Sequence, residues 1–152
     1  MNYKLLIMLT AVALAGCTSS SPNCAKPDAA SIVASFQSNE QFRAMLVSVA
    51  GRTQTAAMAE NRDGSSAQKN LSRAIESAVE RHGAEWERNL VSGWDTLNAK
   101  ELMQVCTALK DRDRATFEQF AARVGPEVQS RNEALLKRAG AEVLEQIWSE
   151  KE

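Results

Sequence analysis

The chain has 152 residues, of which 44% are hydrophobic and 24% are charged, and its formal net charge is -1 at pH 7. This length suits one domain with a substantial core and is too short for two full domains. The near-neutral charge argues against a nucleic-acid-binding protein, which normally has a basic excess, and the balanced composition argues against a disordered acidic or basic tail.

Residues 1–16 have the pattern of an export signal. Lys4 precedes an apolar run over residues 5–14, which is shorter than the roughly 20 residues that a membrane-spanning helix needs. A charged start, a short apolar stretch and small residues before the cleavage point are typical of a secretory signal peptide. We therefore expect residues 1–16 to be removed from the mature protein.

The end of this signal, Leu14-Ala15-Gly16-Cys17, resembles the lipobox of bacterial lipoproteins at all four positions. The resemblance implies cleavage before Cys17, a diacylglyceryl group on its thiol and a fatty acyl chain, such as palmitate, on the new amine. Two or three acyl chains would anchor the protein on a bilayer, because each buried methylene contributes about 0.8 kcal/mol. The alternative is an ordinary secretory signal that is cut nearby, with Cys17 as a plain thiol.

Thr18 bears on which membrane would hold the protein. In Gram-negative lipoproteins an Asp directly after the lipidated Cys tends to retain the protein in the inner membrane. Thr18 therefore implies the outer membrane, and we expect the domain on its periplasmic side, although the residues do not distinguish that side from the cell surface.

The mature chain is predicted to contain a tether over residues 17–27 and one helical domain over residues 28–152. The tether is rich in Ser, Pro and Asn and has no apolar periodicity. No Pro occurs between Asp28 and Gly125, good helix formers dominate, and β-branched residues are scattered instead of alternating. We predict an all-α fold, a compact bundle of five or six helices.

The first half of the domain is predicted to contain three helices. Asp28 can cap a short helix whose inward residues are Ile32, Val33 and Phe36. A second helix is predicted from Asn39 to about Asn61, because apolar residues recur there at helical spacing: Phe42, Met45, Leu46, Val49, Ala56, Ala57 and Met58. The turn at Asn61–Ser66 follows, since Gly64 can adopt positive φ. The third helix has an inward face formed by Leu71, Ala74, Ile75, Ala78, Val79, His82, Trp86 and Leu90.

The second half of the domain is predicted to contain the remaining helices after a break near Ser92-Gly93. Asn98 and Glu101 match a capping box that starts a helix with an inward face of Leu102, Val105, Cys106 and Leu109. Asp113 can cap the next helix, which turns inward Phe117, Phe120, Ala121 and Val124. Gly125-Pro126 is predicted to stop that helix and start the last one, which turns inward Val128, Leu135, Leu136, Ala139, Val143, Leu144, Ile147 and Trp148.

The charged surface of these helices contains four pairs of opposite charge spaced four residues apart. Such pairs support a helix by about 0.2–0.5 kcal/mol each and are typical of a solvated surface. They are Arg81/Glu85, Glu127/Arg131, Glu133/Lys137 and Arg138/Glu142.

Two cysteines remain once Cys17 is assigned to the lipid. Cys24 lies in the tether and Cys106 on the apolar face of a helix, and an even pair in an oxidising compartment predicts a disulfide between them. Closing that loop should contribute roughly 4–5 kcal/mol. The alternative is that Cys106 is a small buried hydrophobic residue and Cys24 a free thiol.

The residues that carry catalysis or bind metals form no recognisable constellation. The single His82 cannot supply a zinc or di-iron site, and its simplest interpretation is a half-buried histidine at the edge of the core. Ser66 and Lys69 match S-x-x-K, but the companion motifs of that enzyme class are missing, and a Ser after a turn is more naturally a helix cap. We therefore expect no metal, no cofactor and no enzymatic activity.

Trp94 and Trp148 are the tryptophans that we expect to be partly exposed. Trp94 lies at the predicted break and Trp148 near the C-terminus, and exposed tryptophans are favoured at contact surfaces. Packing between helices is the alternative role for both. These two residues are our candidates for contact with a partner.

Residues 94–128 faintly resemble an uncharacterised family of small helical secreted bacterial proteins. That family has an aromatic residue, a cap, Glu-Leu, an aliphatic residue, a polar turn and a Phe-rich helix. The corresponding residues here are Asn98, Glu101, Leu102, Leu109, Asp111, Arg112, Asp113, Phe117 and Phe120, although charged residues replace the Gly-rich turn of the family. The resemblance implies a helical fold and names no activity.

The sequence as a whole predicts a lipid-anchored lipoprotein of the cell envelope that binds a protein partner, in an assembly, accessory or immunity-type role. The alternative function is a carrier that holds a small apolar ligand or lipid between its helices.

Overall fold

The computed structural model describes residues 24–149, and within them it contains six α-helices and no strand. The helices are α1 (Ala29–Ala34), α2 (Ser38–Ala50), α3 (Gln54–Asp63), α4 (Ser65–Trp94), α5 (Ala99–Asp111) and α6 (Arg114–Ser149). The predicted all-α bundle is therefore confirmed. The predicted signal peptide, the lipobox with Cys17, and Thr18 lie outside the described residues. None of the described helices combines the length and apolarity needed to cross a bilayer.

The bundle is organised around α4 and α6, which run antiparallel along most of their length. Cross-helix contacts give this direction: Asn89 on α4 donates to Asn132, and Glu85 pairs with Arg138. The helices approach closely at Gly93, where an added Cβ would lie 2.4 Å from a methyl carbon of Val128. The buried core between α4, α6 and the shorter helices includes Ile32, Phe42, Leu46, Trp86, Leu90, Val105, Leu135, Val143 and Ile147.

Three predicted helix starts, at Asp28, Asn98 and Asp113, are confirmed, because side-chain caps are local signals. The cap predicted at Ser66 is wrong, because Ser66 lies inside α4 and Gly64 is the N-cap. The Asp28 side chain accepts from the Ser31 backbone N–H, and the Asn98 side chain accepts from that of Glu101, so both form capping boxes. Asp113 caps α6 in the same way through Thr116. Each carboxylate or amide satisfies a backbone N–H that would otherwise lack a partner at the first turn.

The second predicted helix is wrong as a single element, because it is divided into α2 and α3. The Gly51 backbone N–H donates to the Val47 carbonyl oxygen and so completes the last turn of α2. Thr53 then makes the break stable: its hydroxyl donates to the Ala50 carbonyl oxygen at 2.8 Å and accepts from the Ala56 N–H. The division reorients the expected apolar stripe, so Met58 is 52% exposed.

The predicted breaks in the two long helices are also wrong. The third predicted helix continues through Ser92-Gly93 and ends at Trp94, and α6 continues through Gly125-Pro126 for 36 residues. Val124 and Val128, on either side of Pro126, both approach Gly93 on α4. Because one surface of α4 holds both halves of α6, packing offsets the backbone hydrogen bond that proline cannot make.

Candidate functional site

The disulfide between Cys24 and Cys106 defines one end of the molecule. The two Cα atoms are 5.7 Å apart, and 82 residues separate the cysteines in sequence. Cys106 is fully buried on α5, and Cys24 lies just before α1, at the start of the described chain. The predicted disulfide is confirmed, and it joins the entry of the chain into the domain directly to α5. We call α1, α5 and the first turns of α6 the disulfide end.

Trp94 belongs to an aromatic cluster at this end, so its predicted exposure is wrong. Its ring stacks on Phe117 with centroids 5.7 Å apart and meets the edge of Phe36 at 5.6 Å. Only 4% of Trp94 is exposed. The cause is the extension of α4 beyond the predicted break, which places Trp94 between α1 and α6 instead of in a loop. The structure therefore removes Trp94 from the candidate partner contacts.

Trp148 lies at the opposite end of the molecule and keeps its candidate role. It is 49% exposed, and the Arg62 guanidinium lies over its ring at 4.7 Å from the centroid. Arg62 also donates to the Ile147 carbonyl oxygen, so α3 is tied to the last turns of α6. Met58 is exposed on α3 one turn before Arg62. We call α3 and the last turns of α6 the α3 end.

His82 occupies a polar seam between α4 and α6. Its side chain is mostly buried, in agreement with the simplest interpretation from sequence, and its Nε2–H donates to Glu142 Oε2 at 2.8 Å. Arg81 approaches the same carboxylate at 3.3 Å. These contacts, first of all the hydrogen bond from His82, hold the pKa of Glu142 below its usual value of 4.5.

Two of the four predicted charge pairs form as expected within α6, and the other two exchange partners. Glu127 pairs with Arg131 and Glu133 pairs with Lys137. By contrast, Arg138 binds Glu85 across the helix interface, just as Arg81 binds Glu142. Sequence spacing alone could not find these contacts, because the partners lie more than 50 residues apart. They join α4 to α6 instead of supporting either helix singly.

An open groove of about 520 Å³ lies between α2 and α4, and four of its nine lining residues are glutamates. Arg43 donates to both oxygens of Glu76 and also binds Glu40. The hydrogen bonds from Arg43 lower the pKa of Glu76. Within residues 24–149 no three His, Cys, Asp or Glu side chains are grouped so that they could hold a metal ion.

No protein-family model matches the chain, and the comparisons with curated proteins and with solved structures find no match either. The resemblance of residues 94–128 to small helical secreted proteins therefore stays a prediction. In the structure this segment spans the last residue of α4, all of α5 and the first turns of α6.

Proposed function

We propose that the chain is a lipoprotein of the cell envelope, anchored through lipid on Cys17, and that its helical domain binds a protein partner without catalysing a reaction. The observation that carries the anchor is the pairing of Cys24 with Cys106. This disulfide takes up two of the three cysteines in the sequence. Neither of them can therefore form a disulfide with Cys17, the cysteine at the lipobox position. Disulfides persist in oxidising compartments, which supports export of the domain.

Labelling with a fatty acid tests the anchor. In a Gram-negative host that is fed an alkyne analogue of palmitate, we expect the chain to be labelled and to remain with the membranes after a salt wash. Cys17→Ser should lose both properties. The matched control is the double variant Cys24→Ser/Cys106→Ser, which also removes cysteines but should keep the lipid. Equal labelling of Cys17→Ser would overturn the anchor.

Membrane separation tests the proposed outer-membrane location. The chain should sediment with outer-membrane markers, since Thr18 stands where Asp would favour retention in the inner membrane. Thr18→Asp should move it to the inner-membrane fraction, whereas Thr18→Ser should leave it in place. A wild-type chain in the inner-membrane fraction would contradict the location and leave the lipid anchor intact.

The α3 end is the surface that we propose for the protein partner. Trp148 offers a large, half-exposed indole whose orientation is fixed by Arg62, and Met58 extends the apolar area. Preoriented aromatic side chains lose little conformational entropy on binding and are frequent energetic centres of interfaces. The partner that fits this surface is a folded envelope protein with an apolar pocket of indole size.

A crosslinkable amino acid at Glu145, which is exposed and lies one turn before Trp148 on the same side of α6, tests the partner in intact cells. The crosslinked protein should be lost with Trp148→Ala and retained with Trp148→Phe, which keeps an aromatic ring. Val47→Ala is the matched control, because Val47 is also 49% exposed but lies on α2. Equal loss with the Val47 and Trp148 variants, or no loss with either, would contradict a partner site at Trp148.

The carrier function proposed as the alternative requires an apolar cavity between helices. The groove between α2 and α4 is lined by four glutamates, a lining that favours water and cations over an apolar ligand. Mass spectrometry of the purified chain under native conditions distinguishes the two functions. A stoichiometric lipid that survives removal of the covalent anchor would favour the carrier.

A further inference from the structure

The outer face of α5 is a second exposed surface of the domain, besides the α3 end. Lys100, Met103, Thr107 and Lys110 are all exposed and follow one another at spacings of three, four and three residues. Such spacing places them within about 80° of the helix circumference. We call these four residues the α5 stripe. It contains two bases and an exposed thioether that is 37% accessible, and the exposed Asp111, next to Lys110, is the one acid at its edge.

The two lysines of the α5 stripe make no direct contact with a neighbouring carboxylate. Among residues 24–149, neither Lys100 nor Lys110 forms an ion pair or a hydrogen bond through its side chain. Glu101, the acid next to Lys100, is held by the capping box and by Arg123 instead. Their positive charge is therefore available to an anionic surface outside the domain.

The disulfide places the α5 stripe within a short chain length of Cys17, where the tether begins. Cys106 lies on α5 beside the stripe, three residues after Met103 and four before Lys110, and it is bonded to Cys24. Cys24 is seven positions after Cys17, and a chain of that length reaches at most about 25 Å even when fully extended. If Cys17 carries lipid, α5 is thus confined to the immediate neighbourhood of the bilayer.

We infer that the α5 stripe docks on the anionic headgroup surface of the bilayer that holds Cys17. The inference rests on the proposed lipid anchor. Lysines are attracted by anionic headgroups, and an apolar side chain between them can enter the interfacial layer, which is the composition of the α5 stripe. The tether supplies a high local concentration, so two lysines and Met103 suffice where they would be too weak alone.

Docking through α5 leaves the α3 end open. Phe117, near the start of α6, and Trp148 are 31 residues apart on that helix, which corresponds to about 46 Å. The surface proposed for the protein partner therefore lies outside the footprint of α5, which is only about 20 Å long. The two surfaces divide the molecule between membrane contact and partner contact.

Oxidation of methionine by hydrogen peroxide tests the docking. The chain is purified from membranes, its lipid is verified by intact mass, and it is inserted into vesicles of phosphatidylcholine with or without phosphatidylglycerol. Met103 should oxidise at least about fivefold more slowly on the anionic vesicles, since each lysine strengthens such binding about fivefold. Met58, exposed on α3, is the control and should oxidise at the same rate on both.

Charge variants identify the face that docks. Lys100→Gln/Lys110→Gln should abolish the protection of Met103, and so should high salt, whereas Lys69→Gln/Lys137→Gln removes the same charge elsewhere and should preserve it. Equal protection of Met58 and Met103, or none at Met103, would overturn the docking. An intact mass without lipid would overturn the proposed anchor. Coupling the Cys17 thiol to a maleimide lipid would then still test the docking by the same readout.

Discussion

The two ends of the bundle differ in how firmly they are held. At the disulfide end, a covalent bond, the Phe36–Trp94–Phe117 cluster and three capped helix starts fix every element. At the α3 end, α4 begins at Gly64 without a side-chain cap, and Met58 and Trp148 remain exposed. The comparison shows that stabilising contacts are concentrated where the tether enters, while the opposite end keeps apolar surface for contact.

Removing the disulfide should have the largest effect and would test whether the disulfide end is the more stable one. Cys24→Ala/Cys106→Ala should lower the free energy of unfolding by roughly 4–5 kcal/mol. The reason is that the disulfide joins positions 82 apart in sequence and so closes a long loop in the unfolded chain, whose conformational entropy rises when the bond is removed. Urea denaturation measures the change. Reductant should destabilise the wild type by a similar amount and leave the variant unchanged. A loss below about 1 kcal/mol would contradict the comparison.

Alanine substitution of one tryptophan at each end compares how much the two ends contribute to stability. Trp94→Ala should cost about 3–5 kcal/mol, because it empties the centre of an aromatic cluster. Trp148→Ala should cost at most about 1 kcal/mol, since its main loss is the contact with Arg62. Thermal and urea unfolding of both variants provide the measurement. Equal costs would mean that Trp148 is as deeply packed as Trp94, which would remove the basis for a contact surface there.

The parts of the fold that were predictable from the sequence depend on neighbouring residues. The capping residues Asp28, Asn98 and Asp113 and the turn at Gly64 act within a few positions, so their signals are readable in the chain. Cys24 and Cys106 were paired by counting cysteines in an exported chain.

The parts that sequence reasoning missed depend on contacts between distant segments. Pro126 is accommodated because α4 packs across it, and Trp94 is buried because Phe36 and Phe117 surround it. The Arg62 contact with Trp148 joins residues that lie 86 positions apart. The α5 stripe was readable in principle as the polar side of a predicted helix. Its proposed docking on a membrane could be inferred only from the disulfide that the structure places beside it.

Pro126 lies between the two ends, and its replacement tests whether α6 is one helix. Pro126→Ala should stabilise the domain by about 1–3 kcal/mol, because it restores a backbone hydrogen bond within a continuous helix. Gln129→Ala, an exposed substitution on the same helix, should change stability by less than about 0.5 kcal/mol. A neutral Pro126→Ala would indicate a break at this position and would shorten the separation between the two ends.

The smallest expected effect concerns the seam that joins α4 to α6 near the α3 end. His82 and Arg81 contact the Glu142 carboxylate, so the pKa of Glu142 is lower in the folded chain than in the unfolded chain. The stabilisation is therefore present above the usual glutamate pKa and is lost as the pH falls through the lowered value. We expect the nearby Arg138–Glu85 pair to remain in place when Glu142 alone is changed.

Glu142→Gln should accordingly reduce stability at neutral pH by roughly 0.2–1 kcal/mol, the range for solvent-accessible ion pairs, because about a third of the Glu142 side chain is exposed. The difference from wild type should shrink as the pH falls below the usual glutamate pKa and should vanish once the pH is below the lowered pKa of Glu142. Urea unfolding across that pH range measures it, and Glu145→Gln on the exposed side of α6 should follow the wild-type profile. If Glu142→Gln is still less stable than wild type at the lowest pH, the loss comes from side-chain packing at this position. The charge of Glu142 would then not be what joins α6 to α4 near the α3 end.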